Sequence, residues 1–333
     1  MGGGASAAQQ EPRPPSTSIE PLTTKSAHNP GNFEEGQFVN SRGYLLHTYK
    51  VNAKGKAKAA IIYHHGIRCH LLFDLLTKNE FGGRMNVFEG SIADKLTQLG
   101  FEIHGYDAES HGLSEGALGT GAGCYFEDGA DLVKDFVHFA QMVRSQTGLP
   151  VFGMGCSMGA GIITGAARHT PPVMDGMVLV APMISVEGVK SKPINKILIP
   201  LSEIAFKLIP TWHLVDFVKN PDEDAEASFR NDPLNDTSEK FRVAPSRGCM
   251  HYCEDLQENL AEVKVPFLTM HSKEDIFTDF ASSERLLADC PLPEQDKTFL
   301  VAPEGSCHAL LTEAVSKSWA MESVTSWLQK RVN

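Results

Sequence analysis

The sequence predicts an α/β protein with a mostly parallel central sheet, helices on both faces, and a helical cap inserted late in the chain. Three observations lead there. Short apolar runs of strand length stand at 59–63, 101–106, 151–154, 177–180, 265–270 and 298–301. Stretches with helical patterning, at 87–99, 126–145 and 158–168, lie between them. One interval, 184–261, carries helix-like and irregular sequence with no clear strand. Strand–helix alternation of this kind means parallel strands covered by helices on both faces. In such sheets the functional site collects at the carboxyl ends of the strands.

Each part of the chain has its own reason. Residues 1–35 are rich in Gly, Ala, Ser and Pro and hold few large apolar side chains. Such a stretch cannot bury enough surface to offset its ordering entropy, so a disordered tail is expected. The core is expected over 36–183 and 262–333. It begins with two strand-like runs around Asn40-Ser41-Arg42-Gly43, a hairpin turn. The interval 184–261 falls between two core strands, and as an insertion there it would sit over the active-site edge as a cap. Its first part, 194–210, is apolar, with Ile194, Ile197, Leu198, Leu201, Ile204, Phe206 and Leu208 among its residues. Lys190, Lys192, Lys196 and Lys207 are interleaved, and Pro200 should kink or divide any helix.

Composition narrows the function. The chain has 333 residues, 42% of them hydrophobic and 21% charged, enough for one large α/β domain. A formal net charge of −11 argues against nucleic acid as a partner, because a phosphate backbone calls for clustered Lys and Arg. Seven cysteines at scattered spacing, with no secretory leader pattern before them, are expected as reduced thiols in a cytoplasmic setting. No apolar run approaches the ~20 residues that span a bilayer.

Gly155-Cys156-Ser157-Met158-Gly159 fits G-x-S-x-G between a strand and a helical run, the context of a nucleophile elbow. The turn needs small residues at 155 and 159 and presents the Ser157 hydroxyl clear of the sheet. A serine needs a base to become nucleophilic near neutral pH. Thirteen histidines are present, and position chooses His308, just after the last strand run, with His271 as the alternative. The acid should follow the preceding strand. Asp275 is the choice there, with Glu274 and Asp279 as neighbours. The chain order Ser…Asp…His is that of the α/β-hydrolase fold.

A tetrahedral intermediate needs pre-placed donors for its negative oxygen. The backbone N–H of Met158 should supply one. The loop His64-His65-Gly66-Ile67 should supply the other through the N–H of Ile67, with Gly66 letting the backbone turn inward and His65 supporting the loop. The segment from Asp107 to Gly116, dense in turn formers, is expected to brace the site. His64, His65 and His70 lack an accompanying carboxylate, and Cys249, His251 and Cys253 lack a second ligand pair at zinc spacing. No metal and no organic cofactor is expected.

With these residues in place, the sequence resembles the monoacylglycerol lipase and lysophospholipase group of α/β-hydrolases over roughly residues 35–330. The resemblance rests on His65-Gly66, on Asp107 to Gly116, on the elbow, on Asp275 and His308, and on Phe229-Arg230-Asn231-Asp232-Pro233-Leu234 in the cap. It implies the α/β-hydrolase fold, a serine ester hydrolase, and apolar cap helices that form a lid over an acyl-chain pocket. The chain departs from the group at four places. Cys156 stands where His usually precedes the nucleophile. The loop usually reading D-x-R-G-H-G is here Asp107-Ala108-Glu109-Ser110-His111-Gly112. His271-Ser272 replaces His-Gly, and Ile67 replaces a small residue.

The expected activity is hydrolysis of a monoacylglycerol, a lysophospholipid or a smaller ester through an acyl-enzyme on Ser157. Acyl transfer with the same triad, a small-ester carboxylesterase and a silent binding protein on the same fold are the alternatives. Met1-Gly2-Gly3-Gly4-Ala5-Ser6 fits the N-myristoylation pattern, with Gly2 as the acylated residue. One myristoyl chain binds membranes only marginally, on the order of 10⁴ M⁻¹. The apolar, Lys-bearing cap stretch is the expected second contact in a peripheral membrane association. Oligomeric state is open at this level.

Overall fold

The computed structural model describes residues 13–187 and 202–332. Gly2, and within the apolar cap stretch residues 194–201, lie outside the described residues.

A nine-stranded sheet runs through the molecule. Its strands in chain order are β1 (Glu20–Pro21), β2 (Glu34–Val39), β3 (Leu45–Val51), β4 (Ala59–His64), β5 (Phe101–Tyr106), β6 (Val151–Cys156), β7 (Gly176–Val180), β10 (Phe267–His271) and β11 (Lys297–Val301), with β8 (His213–Asp216) and β9 (Lys240–Arg242) forming a separate pair. The spatial order is β1-β2-β3-β5-β4-β6-β7-β10-β11. The first strands pair antiparallel, through the hairpin at Asn40–Gly43, and β5 to β11 pair parallel. The six parallel strands coincide with the six apolar runs. Every residue of β4 and β5 is buried, as strands covered on both faces require.

Alternate side chains divide the interior in two. Ala60 and Ile62 face a core closed by α3 (Gly129–Thr147) and α4 (Met158–Ala166). Ala59, Ile61 and Tyr63 face another, closed by α1 (Leu71–Leu75), α2 (Ile92–Gln98) and the final helix, Lys317–Val332. Local chemistry starts the two long connections: Ser91 caps α2 by accepting from the Asp94 N–H, and Asp128 caps α3 by accepting from the Ala130 N–H.

The chain leaves β4 on one side to form β5 and returns on the other side as β6. This reversal opens a crevice beyond the carboxyl ends of β4 and β6. Tyr63 pairs with Met154 and His64 with Gly155, so the loops that follow these strands start side by side.

Three expectations change. Residues 13–35 are not part of a loose tail. Ser16 N–H bonds Val39 O, Glu20 and Pro21 pair with Gln37 and Gly36, and Phe33 is buried. Backbone pairing and one aromatic anchor hold the segment, and composition sees neither. The interval 184–261 contains strands after all, the antiparallel pair β8 and β9. Nor is all of that interval a cap. The helix Val243–Glu258 packs on α3 and α4: Cys249, Tyr252, Cys253 and Leu256 belong to the same core, and Tyr252 Oη donates to Gly161 O at 2.8 Å. Burial of such large apolar side chains contributes about 2 kcal/mol each, which draws the helix onto the core. Cys249 and Cys253 are thus core thiols. The cap over the site is the preceding part, with β8, β9 and the helix α5 (Glu223–Asn231).

Candidate active site

The elbow forms because β6 runs directly into α4 with a single residue between them. Ser157 sits there with φ 55° and ψ −119°, a conformation that L residues rarely adopt. Surrounding bonds hold it: Ser157 N–H donates to Val180 O, and Ser157 O accepts from Gly161 and Met183 N–H. A Cβ at position 159 would stand 1.9 Å from His64 O, and one at 155 would stand 2.7 Å from the same oxygen. Only glycine fits at either position, which is the steric content of G-x-S-x-G here. Met158 opens α4, so its N–H lies in the first turn, where no intrahelical acceptor exists.

Asp275 and His308 come from the loops after β10 and β11. These strands pair so that His271 faces Val301, and Ser272 Oγ donates to Ser306 O at 2.6 Å, tying the loops together. His308 Nδ1 lies 2.7 Å from Asp275 Oδ2. Asp275 is wrapped in donors: the Phe277 and Thr278 N–H groups reach Oδ1 at 2.8 and 3.1 Å, and the Thr278 hydroxyl reaches Oδ2 at 2.9 Å. Burial pushes this carboxyl up, but the imidazoles of His308 and His271 outweigh it and hold it well below the usual carboxylate range. For His308 burial opposes the charged form, and Asp275, with Glu313 and Asp74 behind it, more than offsets that, raising the imidazole above its ordinary 6.5. The alternative base, His271, lies on the inner side of Asp275, 3.2 Å from Oδ2, fully buried and bonded to Ser283. Glu274 accepts instead from Gly305 N–H.

The β4 loop is equally constrained. His65 Nε2 accepts from Ala108 N–H at 2.9 Å, so Nδ1 carries the proton toward Gly66 O at 2.7 Å. Burial drives His65 well below 6.5 and keeps it neutral. A Cβ at Gly66 would lie 3.6 Å from the Ser157 Cβ, so this turn passes directly against the elbow. Asp107 braces the loop from behind by accepting from the Leu71 and Leu113 N–H groups. Among the described residues no backbone bond is made by the Ile67 N–H.

Ser157, His308, Gly66 and Ile67 all line one cavity of about 570 Å³. Its walls include Phe73, Met183, Phe217, Phe229, Phe241 and Phe277, and the Phe277 ring lies 4.9 Å from that of His308. The volume is that of a pocket for a drug-sized ligand. The structure places Ser157 and His308 on this space and joins Asp275 to His308 from behind. Ser157 and His308 share the cavity without a hydrogen bond between them, a contact that often tightens only with substrate. Among the described residues no group of three His, Cys, Asp or Glu is placed to hold a metal ion. His70 turns away to Asp232, 3.1 Å off.

Two carboxylates escaped the sequence reading. Asp74 accepts from the Gly66 N–H at 2.9 Å, and burial raises it to about 6. Glu313 accepts from the Cys307, His308 and Ala309 N–H groups at 2.7–2.9 Å and so fixes the loop that carries His308. Neither lies in a motif. Only the folded path of each loop reveals which N–H groups need an acceptor.

Comparison with known proteins agrees with this architecture. The chain is 24% identical to rat (Rattus norvegicus) monoglyceride lipase over 297 residues, which cover 88% of this chain and 90% of the relative. It is 23% identical to the Saccharomyces cerevisiae monoglyceride lipase, covering 90% of this chain and 92% of the relative. The fold superposes on a crystal structure of a soluble variant of the yeast enzyme in complex with a substrate analog, with a TM-score of 0.66, 17% identity, and coverage of 99% of this chain and 97% of that one. The sequence profile of the serine aminopeptidase S33 family matches residues 81–314. With well over half its length matched, the chain belongs to the serine aminopeptidase S33 family of α/β-hydrolases, and it is a serine ester hydrolase of the monoacylglycerol lipase-like kind.

Proposed function

We propose that the chain cleaves a monoacylglycerol or lysophospholipid through an acyl-enzyme on Ser157. The observation that carries this reading is the His308–Asp275 pair, which opens onto the same apolar cavity as the strained Ser157. His308 takes the hydroxyl proton on Nε2 as Ser157 Oγ attacks the ester carbonyl. The N–H groups of Ile67 and Met158 receive the oxyanion. Collapse breaks the ester bond, and His308 returns the proton to the departing alcohol, glycerol or a glycerophosphodiester. Water then repeats the sequence on the acyl-enzyme and releases the fatty acid. Asp275 keeps the tautomer and stabilises the imidazolium. The test is labelling with a fluorophosphonate probe followed by a panel of single-chain lipid esters and short esters. Labelling at Ser157 with turnover of the lipid esters is expected. Labelling of another serine, or turnover of short esters alone, would reject it.

The base must be neutral to accept the proton. Because its folded value lies above 6.5, kcat/KM is expected to fall as pH drops through a point above 6.5. An acid limb centred well below 6.5 in a pH–rate profile would contradict the assignment.

Access to lipid esters fits a peripheral membrane contact from the cytoplasmic side, where seven free cysteines are at home. Among the described residues no helix is long and apolar enough to cross a membrane. The cap exposes Ile204, Leu208, Trp212 and Leu214, with Leu208 75% accessible. This face and a myristoyl chain on Gly2 together would give the two signals stable anchoring needs. Vesicle co-sedimentation of the lipidated protein should drop severalfold in Gly2→Ala and again in Trp212→Ser. Unchanged sedimentation in both rules the contact out.

A further inference from the structure

We propose that Arg68 is a positioning residue that ties the cap to the oxyanion turn. This rests on the reading of Ile67 as an oxyanion donor. Arg68 follows Ile67 directly and has φ 67°, the left-handed region that favours glycine. The turn alone would therefore be met best by glycine, and the arginine must be accounted for by what its side chain does. The guanidinium is almost wholly buried and leaves the loop for the cap. It stacks 4.4 Å over the Phe217 ring and 5.6 Å from that of Phe229. Its Nη2 donates to Ser238 O, and Nε stands 3.9 Å from Asp236 Oδ2. The backbone is gripped as well, since Arg68 O accepts from Asp236 N–H at 2.9 Å. Two residues on, His70 and Asp232 make a second buried tether to the same cap segment.

The core side of the turn is held separately, by Asp74 on the Gly66 N–H. Ile67 thus lies between an anchor in the core and an anchor in the cap. Phe217 and Phe229 line the substrate cavity beside Arg68, and both rings lie against its guanidinium. A chain packed against these rings settles the guanidinium and, through it, the peptide that carries the Ile67 N–H. Remote binding would then be expressed at the reacting carbonyl, which raises kcat rather than affinity. Lysine cannot substitute, because the site uses a planar group that stacks and donates at fixed angles.

The test compares Arg68→Gly, Arg68→Lys and wild type on a short-chain and a long-chain ester, with Tm measured beside kcat and KM. The Ser157→Ala protein is run with the probe in parallel. Both Arg68 variants are expected to lose about tenfold to a hundredfold in kcat on the long-chain ester, below the 10²–10³ of deleting a donor outright. KM should stay within about threefold, and the loss should be smaller on the short ester. Added guanidinium ion should restore part of the Arg68→Gly rate. The proposal is overturned if Arg68→Gly keeps full kcat, since the turn alone would then suffice. It is overturned if KM rises with kcat intact, which would make Arg68 a substrate ligand. Loss of fold and activity together in both variants also overturns it, because a positioning role leaves the core intact. Probe labelling that survives in Ser157→Ala is a different failure, that of the nucleophile assignment.

Discussion

Replacing Ser157 with alanine is expected to lower ester turnover by about 10⁶, or ~8 kcal/mol of barrier, and to abolish fluorophosphonate labelling. The substitution removes one oxygen and little else. The backbone bonds that hold the elbow use the carbonyl and N–H of residue 157, and both remain. The strained φ remains too, so Tm should stay within a few degrees of wild type. Cys156 does not replace the lost nucleophile, because burial raises its thiol well above the ordinary value and leaves no thiolate near neutral pH. Residual turnover above one part in a thousand, with folding intact, would mean that another group attacks the ester.

The sequence carried the parallel core because the strands at its centre, β4 to β7 and β10, are buried almost throughout and are therefore mostly apolar. That signal is local and strong. The three catalytic candidates were legible for a related reason: each lies just past a strand, where a parallel sheet collects its loops. What stayed hidden depends on contacts distant in the chain. Asp74 and Glu313 look like ordinary helix or loop acids until the folded loops show N–H groups pointing at them. The helix Val243–Glu258 has a clear apolar face in Gly248, Cys249, Tyr252 and Leu256, but amphipathicity does not name the partner, and here the partner is the core. Residues 13–35 are held by backbone pairing with β2, which any side chains could make. Arg68 gave no sign of its place, since its unusual φ and its aromatic neighbours belong to the cap contact.

Asp275→Asn is expected to lower kcat by about 10⁴ while leaving the fold in place. The carboxylate accepts the proton on His308 Nδ1 and thereby leaves Nε2 free to act as the base. An asparagine can turn its amide NH₂ toward His308, and the imidazole then answers with the opposite tautomer, which puts a proton on the nitrogen that faces Ser157. The base is lost although every ring stays where it was. A second consequence separates this from simple disruption. Burial would lower His308, and Asp275 is the foremost of the charges that raise it against that, with Glu313 and Asp74 acting in the same direction. With that charge gone the burial is less well offset, and the acid limb of the remaining activity should lie at lower pH than in wild type. Stability shifts in a known direction as well. A carboxyl held below its usual range favours the folded state above its unfolded pKa of 3.8 and loses that contribution as pH falls through the folded value, so the variant should be less stable than wild type at neutral pH, with the gap closing toward strong acid. Glu274→Gln is the control. Were it to cost the four decades, with Asp275→Asn losing less than tenfold, the acid would belong to the neighbouring residue.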